Sequence, residues 1–187
     1  MSATSHAALA PSPWVMRFAR HWPAGTRVLD LACGSGRHVR ALAALGHTVT
    51  AVDRDAAALA GLHGVAAELL EADLETGHWP LAGREFDAVI VTHYLWRPRL
   101  AATLACVAAG GWWLHETFAA GNESVGRPSN PDFLLQPGEL AAAALAAGLR
   151  VVAFEDGFLD GPPRFVQRIA AVREAGSSVP PCRYPLT

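Results

Sequence analysis

Val28-Leu29-Asp30-Leu31-Ala32-Cys33-Gly34-Ser35-Gly36-Arg37-His38 opens as an apolar run, stops in small residues and restarts with helical spacing. Residues 28–32 read as a buried strand. Ser35 is placed to cap a helix that carries Val39, Leu42, Ala43 and Leu45 on one face and ends at Gly46. A strand that stops in small residues lets a ligand approach the backbone closely, and the helix N-terminus beyond supplies unpaired N–H groups. The segment predicts a strand, a ligand loop and a helix in succession.

Upstream, Pro13, Trp14, Val15, Phe18 and Ala19 recur at helical spacing until Trp22-Pro23, which predicts a short amphipathic helix. Downstream, 48–52 reads as the next strand, Asp55 can cap an Ala-rich helix reaching about His63, and a weaker extended segment leads to Asp73. Then follow a strand at 86–91, a helix at 99–109, a strand at 111–117 and a helix at 137–147 with Pro137 at its first position. Segments 149–156 and 164–173 read as strands joined by a turn at 157–163, hence an antiparallel pair. Strands separated by helical crossovers predict an α/β fold: a Rossmann-like, doubly wound, mostly parallel seven-stranded sheet with a C-terminal antiparallel hairpin strand. Residues 1–187 are expected to form a single domain, with 1–10 and 177–187 irregular or flexible.

The chain has 187 residues, 51% hydrophobic and 17% charged, enough apolar material for a real core and too much for disorder. Its 15 basic residues are all Arg, set against 17 acids for a formal charge of -2. Nucleic-acid-binding faces show as a basic excess, so DNA is excluded as a partner and RNA is disfavoured. Cys33, Cys106 and Cys182 form no CxxC pair and lie near no His at metal-ligand spacing, so no metal is expected and a reducing, cytoplasmic location is. Residues 1–13 lack the pattern of a signal peptide, and the uncharged run 100–114 is too short to span a bilayer, so no membrane partner is expected. The oligomeric state stays open, although Trp14, Trp22, Trp79 or Trp96, if exposed, would mark an interface.

The glycines of the loop admit two cofactor classes. Gly34-x-Gly36 resembles part of the dinucleotide fingerprint GxGxxG, which would want Gly or Ala where Val39 stands and which is built around phosphate. Asp30 instead places a carboxylate at the strand's end, which repels a pyrophosphate and attracts the ammonium of an amino-acid moiety. S-adenosylmethionine carries that moiety and no phosphate. Asp53, ending the second strand, can accept from both ribose hydroxyls or cap the next helix. Asp73 can accept from the adenine amino group, with Glu71 or Glu75 serving if the register slips.

Together these residues resemble the class I S-adenosylmethionine-dependent methyltransferases, from about Trp14 to Glu174. Asp30 to Gly36 is similar to that family's first motif, with Ala32 where Gly is usual. The resemblance implies that Asp30, Ala32, Gly34 and Gly36 surround the methionine portion. It also implies that Asp53, with Arg54 beside it, holds the ribose and that Asp73 and Leu74 border adenine. Phe86-Asp87-Ala88-Val89-Ile90-Val91 is similar to the fourth motif, whose following residues line the methyl-transfer pocket: Thr92, His93, Tyr94 and Leu95. More narrowly, residues 93–98, 115–118, 121–123 and 130–140 resemble small bacterial methyltransferases grouped near the tellurite-resistance enzymes.

On the acceptor side His93 is either a base or orienter for a substrate heteroatom, with Tyr94 beside it, or a satisfied histidine next to a packing tyrosine. His115 and Glu116, closing the fifth strand, bind a polar substrate or satisfy loop backbone. Asn122 and Arg127 lie in a polar loop of lid-like length at 121–136, which equally suits a passive crossover. Arg97 or Arg127 is available to an anionic acceptor. Methyl transfer from a sulfonium is an in-line displacement that needs alignment and a dry pocket but no protein nucleophile. The expected function is therefore methyl transfer to a small-molecule acceptor. The rivals are an RNA or protein methyltransferase, a non-catalytic S-adenosylmethionine-binding protein and, more distantly, a nicotinamide-dependent dehydrogenase.

Overall fold

The computed structural model describes residues 10–176 and 183–186. The expectations for the two chain ends, and Cys182, lie almost wholly outside them. Five strands each followed by a crossover form the parallel part of the sheet: β1 (Arg27–Leu31), β2 (Thr48–Asp53), β3 (Glu68–Glu71), β4 (Phe86–Thr92) and β5 (Val107–Phe118). β6 (Arg150–Asp160) and β7 (Pro163–Val172) form the closing hairpin. The order is β3-β2-β1-β4-β5-β7-β6, with only β7 running against the others. This is the seven-stranded, mostly parallel sheet that the alternation predicted.

Strand residues alternate between two apolar layers, as the period of two requires. Leu29, Leu31, Val89, Val91, Trp113 and Ile169 face one layer, covered by α4 (Leu100–Ala105) and α5 (Glu139–Ala146). Val28, Ile90, Leu114 and Ala170 face the other, beneath α1 (Pro13–Ala19), α2 (Arg37–Ala44) and α3 (Ala56–Ala60). Trp14 and Trp22 belong to this second layer, so they are core and not interface residues; Trp79 and Trp96 are half-buried. No helix among the described residues is long and apolar enough to cross a membrane.

Five local readings are corrected by packing. α2 starts at Arg37, and Ser35 makes no cap; the N-cap is Gly36, at φ 78°. A Cβ there would lie 2.3 Å from Leu62, so only glycine lets α2 close down on the α3 segment. α3 ends at Ala60, before His63. α4 stops at Ala105, and residues 107–109 join β5 through a bulge opposite Phe86 and Ala88. A short buried apolar run does not distinguish helix from strand, and here Gly111, whose Cβ would lie 2.9 Å from the Ala108 carbonyl, lets the chain fold back. α5 begins at Glu139 behind Gly138, at φ 73°, leaving Pro137 outside it. The hairpin turn is tighter than 157–163, since pairing continues to Asp160 and Pro163.

Candidate active site

All parallel strands point their C-terminal ends to one edge of the sheet, and the crossover between β1 and α2 bends there. The Cys33 N–H donates to the Val52 carbonyl at 3.0 Å and the Gly34 N–H to Asp53 Oδ2 at 2.7 Å, which ties the loop to the end of β2. Asp53 Oδ1 accepts from the Asp55 N–H at 2.9 Å, while Asp55 itself caps α3 through the Ala57 and Ala58 N–H groups. Helix capping is thus the task of Asp55, and Asp53 is turned to the loop. A Cβ on Gly34, at φ 53°, would meet no atom within 4 Å, so the loop backbone is open on that side.

Beyond the loop lies a cavity of about 130 Å³ lined by Ala32, Asp53, Arg54, Ala72, Asp73, Leu74, Glu75 and Tyr94. Six of the residues read from the sequence as site residues meet around it; Ala72 was not among them, and Glu75 only as a substitute for Asp73. Asp73 accepts from the Glu75 N–H at 2.9 Å and the Thr76 hydroxyl at 2.8 Å, and these bonds hold its carboxyl below the usual range. Ala32 stands at φ 55°, a conformation that costs an L-residue about 1 kcal/mol or more. The Tyr94 hydroxyl is buried with no partner among the described residues, and burial first, then the nearby Glu75 and Asp73, pushes its ionisation up.

Asp30 lies beneath the loop, 1% exposed, and among the described residues neither carboxylate oxygen has a partner. Burial pushes it up to about 7, against the pull of Arg37 and with a small push from Asp53. An unpaired buried carboxylate is costly, so such a group marks a ligand site more often than a scaffold.

On the far side of the cleft, Thr92 ends β4 and His93 follows at φ 54°. Arg37, the first residue of α2, reaches across: its guanidinium lies 3.4 Å from Thr92 Oγ1 and 3.5 Å from His93 Nδ1. The His93 ring packs on Phe118 with centroids 5.2 Å apart. His93 is exposed on its outer side, but the protein packed around the rest of its ring, then Arg37 and Arg164, pushes it down to about 4, so its imidazole is neutral near pH 7. Sequence reading missed Arg37, whose only signal was its place next to Gly36.

The remaining candidates, Arg127 apart, are bonded within the scaffold. Arg97 donates from Nε and NH2 to the Glu139 carboxylate at 2.7 and 2.8 Å and to the Asp132 and Leu134 carbonyls, so its charge is taken by the first residue of α5 and its other donors hold the 121–136 loop. Asn122, 1% exposed, bonds the Pro128 carbonyl and the Phe165 N–H. Buried His115 bonds the Tyr94 carbonyl at 2.9 Å through Nε2 and is pushed down to about 4 by burial. Glu116 accepts from the Ser12 hydroxyl at 2.9 Å, with Arg168 3.9 Å away. Arg127 is exposed.

The fold is that of S-adenosylmethionine-dependent methyltransferases. A TehB-like S-adenosylmethionine-dependent methyltransferase from Corynebacterium glutamicum superposes with TM-score 0.61 at 20% identity, over 84% of this chain and 88% of that one. TehB from Haemophilus influenzae gives 0.62 at 20%, over 80% of this chain and 58% of its own. The glycopeptide N-methyltransferase MtfA, solved with sinefungin, gives 0.61 at 18%, over 89% and 87%. No curated protein sequence matches with significance. Residues 28–110 match the Methyltransferase domain family model.

Proposed function

We propose that the chain transfers a methyl group from S-adenosylmethionine to a small-molecule acceptor by in-line displacement. The observation that carries the reading is Asp30, a buried carboxylate with no partner among the described residues, at the foot of a glycine loop. The donor set fits the cofactor piece by piece. Asp30 would hold the ammonium, and the open face of Gly34 would admit the methionine chain. Asp53 keeps lone pairs beyond those used by Gly34 and Asp55, and these suit ribose hydroxyls. Ala32, Arg54, Asp73, Leu74 and Tyr94 would enclose the adenosine. When bound, S-adenosylmethionine supplies an electrophilic methyl carbon on a sulfonium.

The chain's own residues then align and desolvate. Thr92 and His93 face the acceptor side, and His93, neutral at physiological pH, can take a proton from an acceptor or orient one. Tyr94 keeps its proton, because burial and two nearby carboxylates oppose ionisation; its role is packing over the cofactor. Alignment in a pocket shielded from water supplies most of the acceleration.

A small acceptor is favoured over RNA by the charge pattern. Arg27, Arg84, Arg97, Arg150 and Arg168 are each paired with a carboxylate, which breaks up any basic track a nucleic-acid backbone would need. Calorimetric titration with S-adenosylhomocysteine and NAD in parallel tests the cofactor: micromolar-range binding of the former alone is expected, and its failure would sink the reading. Transfer of labelled methyl to small molecules in preference to RNA tests the acceptor class.

A further inference from the structure

Strand register places Asp30, Thr92, Glu116 and Phe118 on one face of the sheet, and Phe118 pairs with Val166, two residues from Arg164 on the same side of β7. Two arginines therefore project from β7 on this face, and their surroundings differ. Arg168 is neutralised: Nε and NH2 donate to Glu155 Oε2 at 2.7 and 2.5 Å, and Glu116 is close by. Arg164 donates from NH1 to the Pro162 carbonyl at 2.9 Å, its Nε is buried with no partner, and among the described residues no carboxylate pairs with it. Arg37 is likewise without an ion pair among them: its guanidinium bonds only Thr92 and His93, although its charge also pulls on buried Asp30.

The His93 ring packs on Phe118, whose register partner Val166 is two residues from Arg164 on the same face, and Arg37 approaches the same imidazole at 3.5 Å, so both cations lie toward one side of the cleft, and both charges act on His93. A guanidinium cannot shed its proton, so a buried N–H without an acceptor stays costly until an acceptor arrives. Its planar fork suits the two oxygens of a carboxylate or phosphate. Resting on the methyltransferase reading, we propose that Arg164, with Arg37 as the second cation, binds an oxyanion group on the acceptor, so that the substrates are small organic acids. Arg164 is then a specificity-determining residue, and Arg97 and Arg127 are not.

The test titrates benzoate, benzamide and inorganic phosphate into the protein with and without saturating S-adenosylhomocysteine, following the His93 imidazole signals by NMR. Saturable binding of benzoate or phosphate, with benzamide at least tenfold weaker, is expected; which anion binds tighter separates carboxylate from phosphate acceptors. Arg164→Gln should weaken the anion at least tenfold while leaving S-adenosylhomocysteine affinity within twofold, and Arg164→Lys should keep part of the anion binding. Equal binding of benzoate and benzamide, no saturable anion site, or an unchanged Arg164→Gln would overturn the proposal. The benzoate and benzamide comparison on the native chain decides it even if a variant folds poorly. Failure of S-adenosylhomocysteine to bind strikes the methyltransferase reading instead, and the anion titration without it still judges the arginine site.

Discussion

Asp30 and Glu116 are both carboxylates at or near the C-terminal ends of sheet strands, on the same face, and each is at most 4% exposed. Glu116 is answered by the Ser12 hydroxyl and by the charge of Arg168, so it anchors the segment leading into α1 to the sheet. Asp30 has no such partner, and its carboxyl is pushed up to about 7. Burial alone therefore does not separate a ligand acid from a scaffold acid. What separates them is whether the fold supplies the hydrogen bonds that desolvation removes.

Asp30→Asn should break that contrast most visibly. Hydrogen bonds to charged groups are worth about 1.5–3 kcal/mol, so calorimetry should show S-adenosylhomocysteine binding weakened by roughly 10- to 100-fold. The ligand-free variant should at the same time unfold at higher denaturant near neutral pH, because an unpaired buried charge is gone. Loss of stability together with unchanged affinity would make Asp30 a scaffold residue.

A second test uses pH. Asp30 must be ionised to pair with an ammonium, so affinity for S-adenosylhomocysteine should fall by about tenfold per unit as pH drops below 7, and Asp30→Asn should flatten the slope. Stability follows a different sign. Asp30 has a raised folded pKa, so between about 4 and 7 the folded state binds the extra proton, and this residue favours folding as pH falls. His38, pushed down to about 3, and His93 and His115, each pushed down to about 4, do the reverse: the unfolded chain takes up their protons below 6.5. Three groups oppose one, so thermal unfolding should move to lower temperature from pH 6.5 to 4. In Asp30→Asn that loss should be steeper, and a shallower loss would show that Asp30 is not the opposing group.

Glu116→Gln is the smaller, complementary change. The amide oxygen can still accept from Ser12, but the attraction to Arg168 is lost, so a destabilisation of about 1 kcal/mol is expected by denaturant titration. Affinity for S-adenosylhomocysteine should stay within twofold. A large loss of affinity would return Glu116 to the site.

The two halves of the cleft were unequally legible in the sequence for a physical reason. Asp30, Gly34 and Gly36 lie within seven residues, and Asp53 and Asp73 end the next extended segments, so strand periodicity alone brings them to one edge. The side proposed for the acceptor draws on Arg37, His93, Phe118 and Arg164, which belong to different elements and are brought to one face only by sheet register. Arg97 was misread for the converse reason. Its Glu139 partner is 42 residues away, and nothing local announces that its charge is already taken. Likewise Ser35 had the chemistry of a cap, but the tight contact of Gly36 with Leu62 decided where α2 starts.

Ala32→Gly has the smallest expected effect and probes the backbone beneath both acids. Ala32 holds φ 55° at the mouth of the cavity, where glycine pays no Cβ penalty. Glycine also gains unfolded-chain entropy, which offsets part of the relief, so a net stabilisation of no more than about 1 kcal/mol is expected. If the strain is instead what sets the loop against Asp53, relaxing it should loosen the Gly34 to Asp53 bond and weaken S-adenosylhomocysteine several-fold without lowering the melting temperature. The two outcomes separate cleanly, because backbone relief alone changes stability and leaves affinity in place. A fall in affinity without destabilisation would mean that the alanine is retained for the ligand, extending to the backbone the distinction that Asp30 and Glu116 draw between side chains.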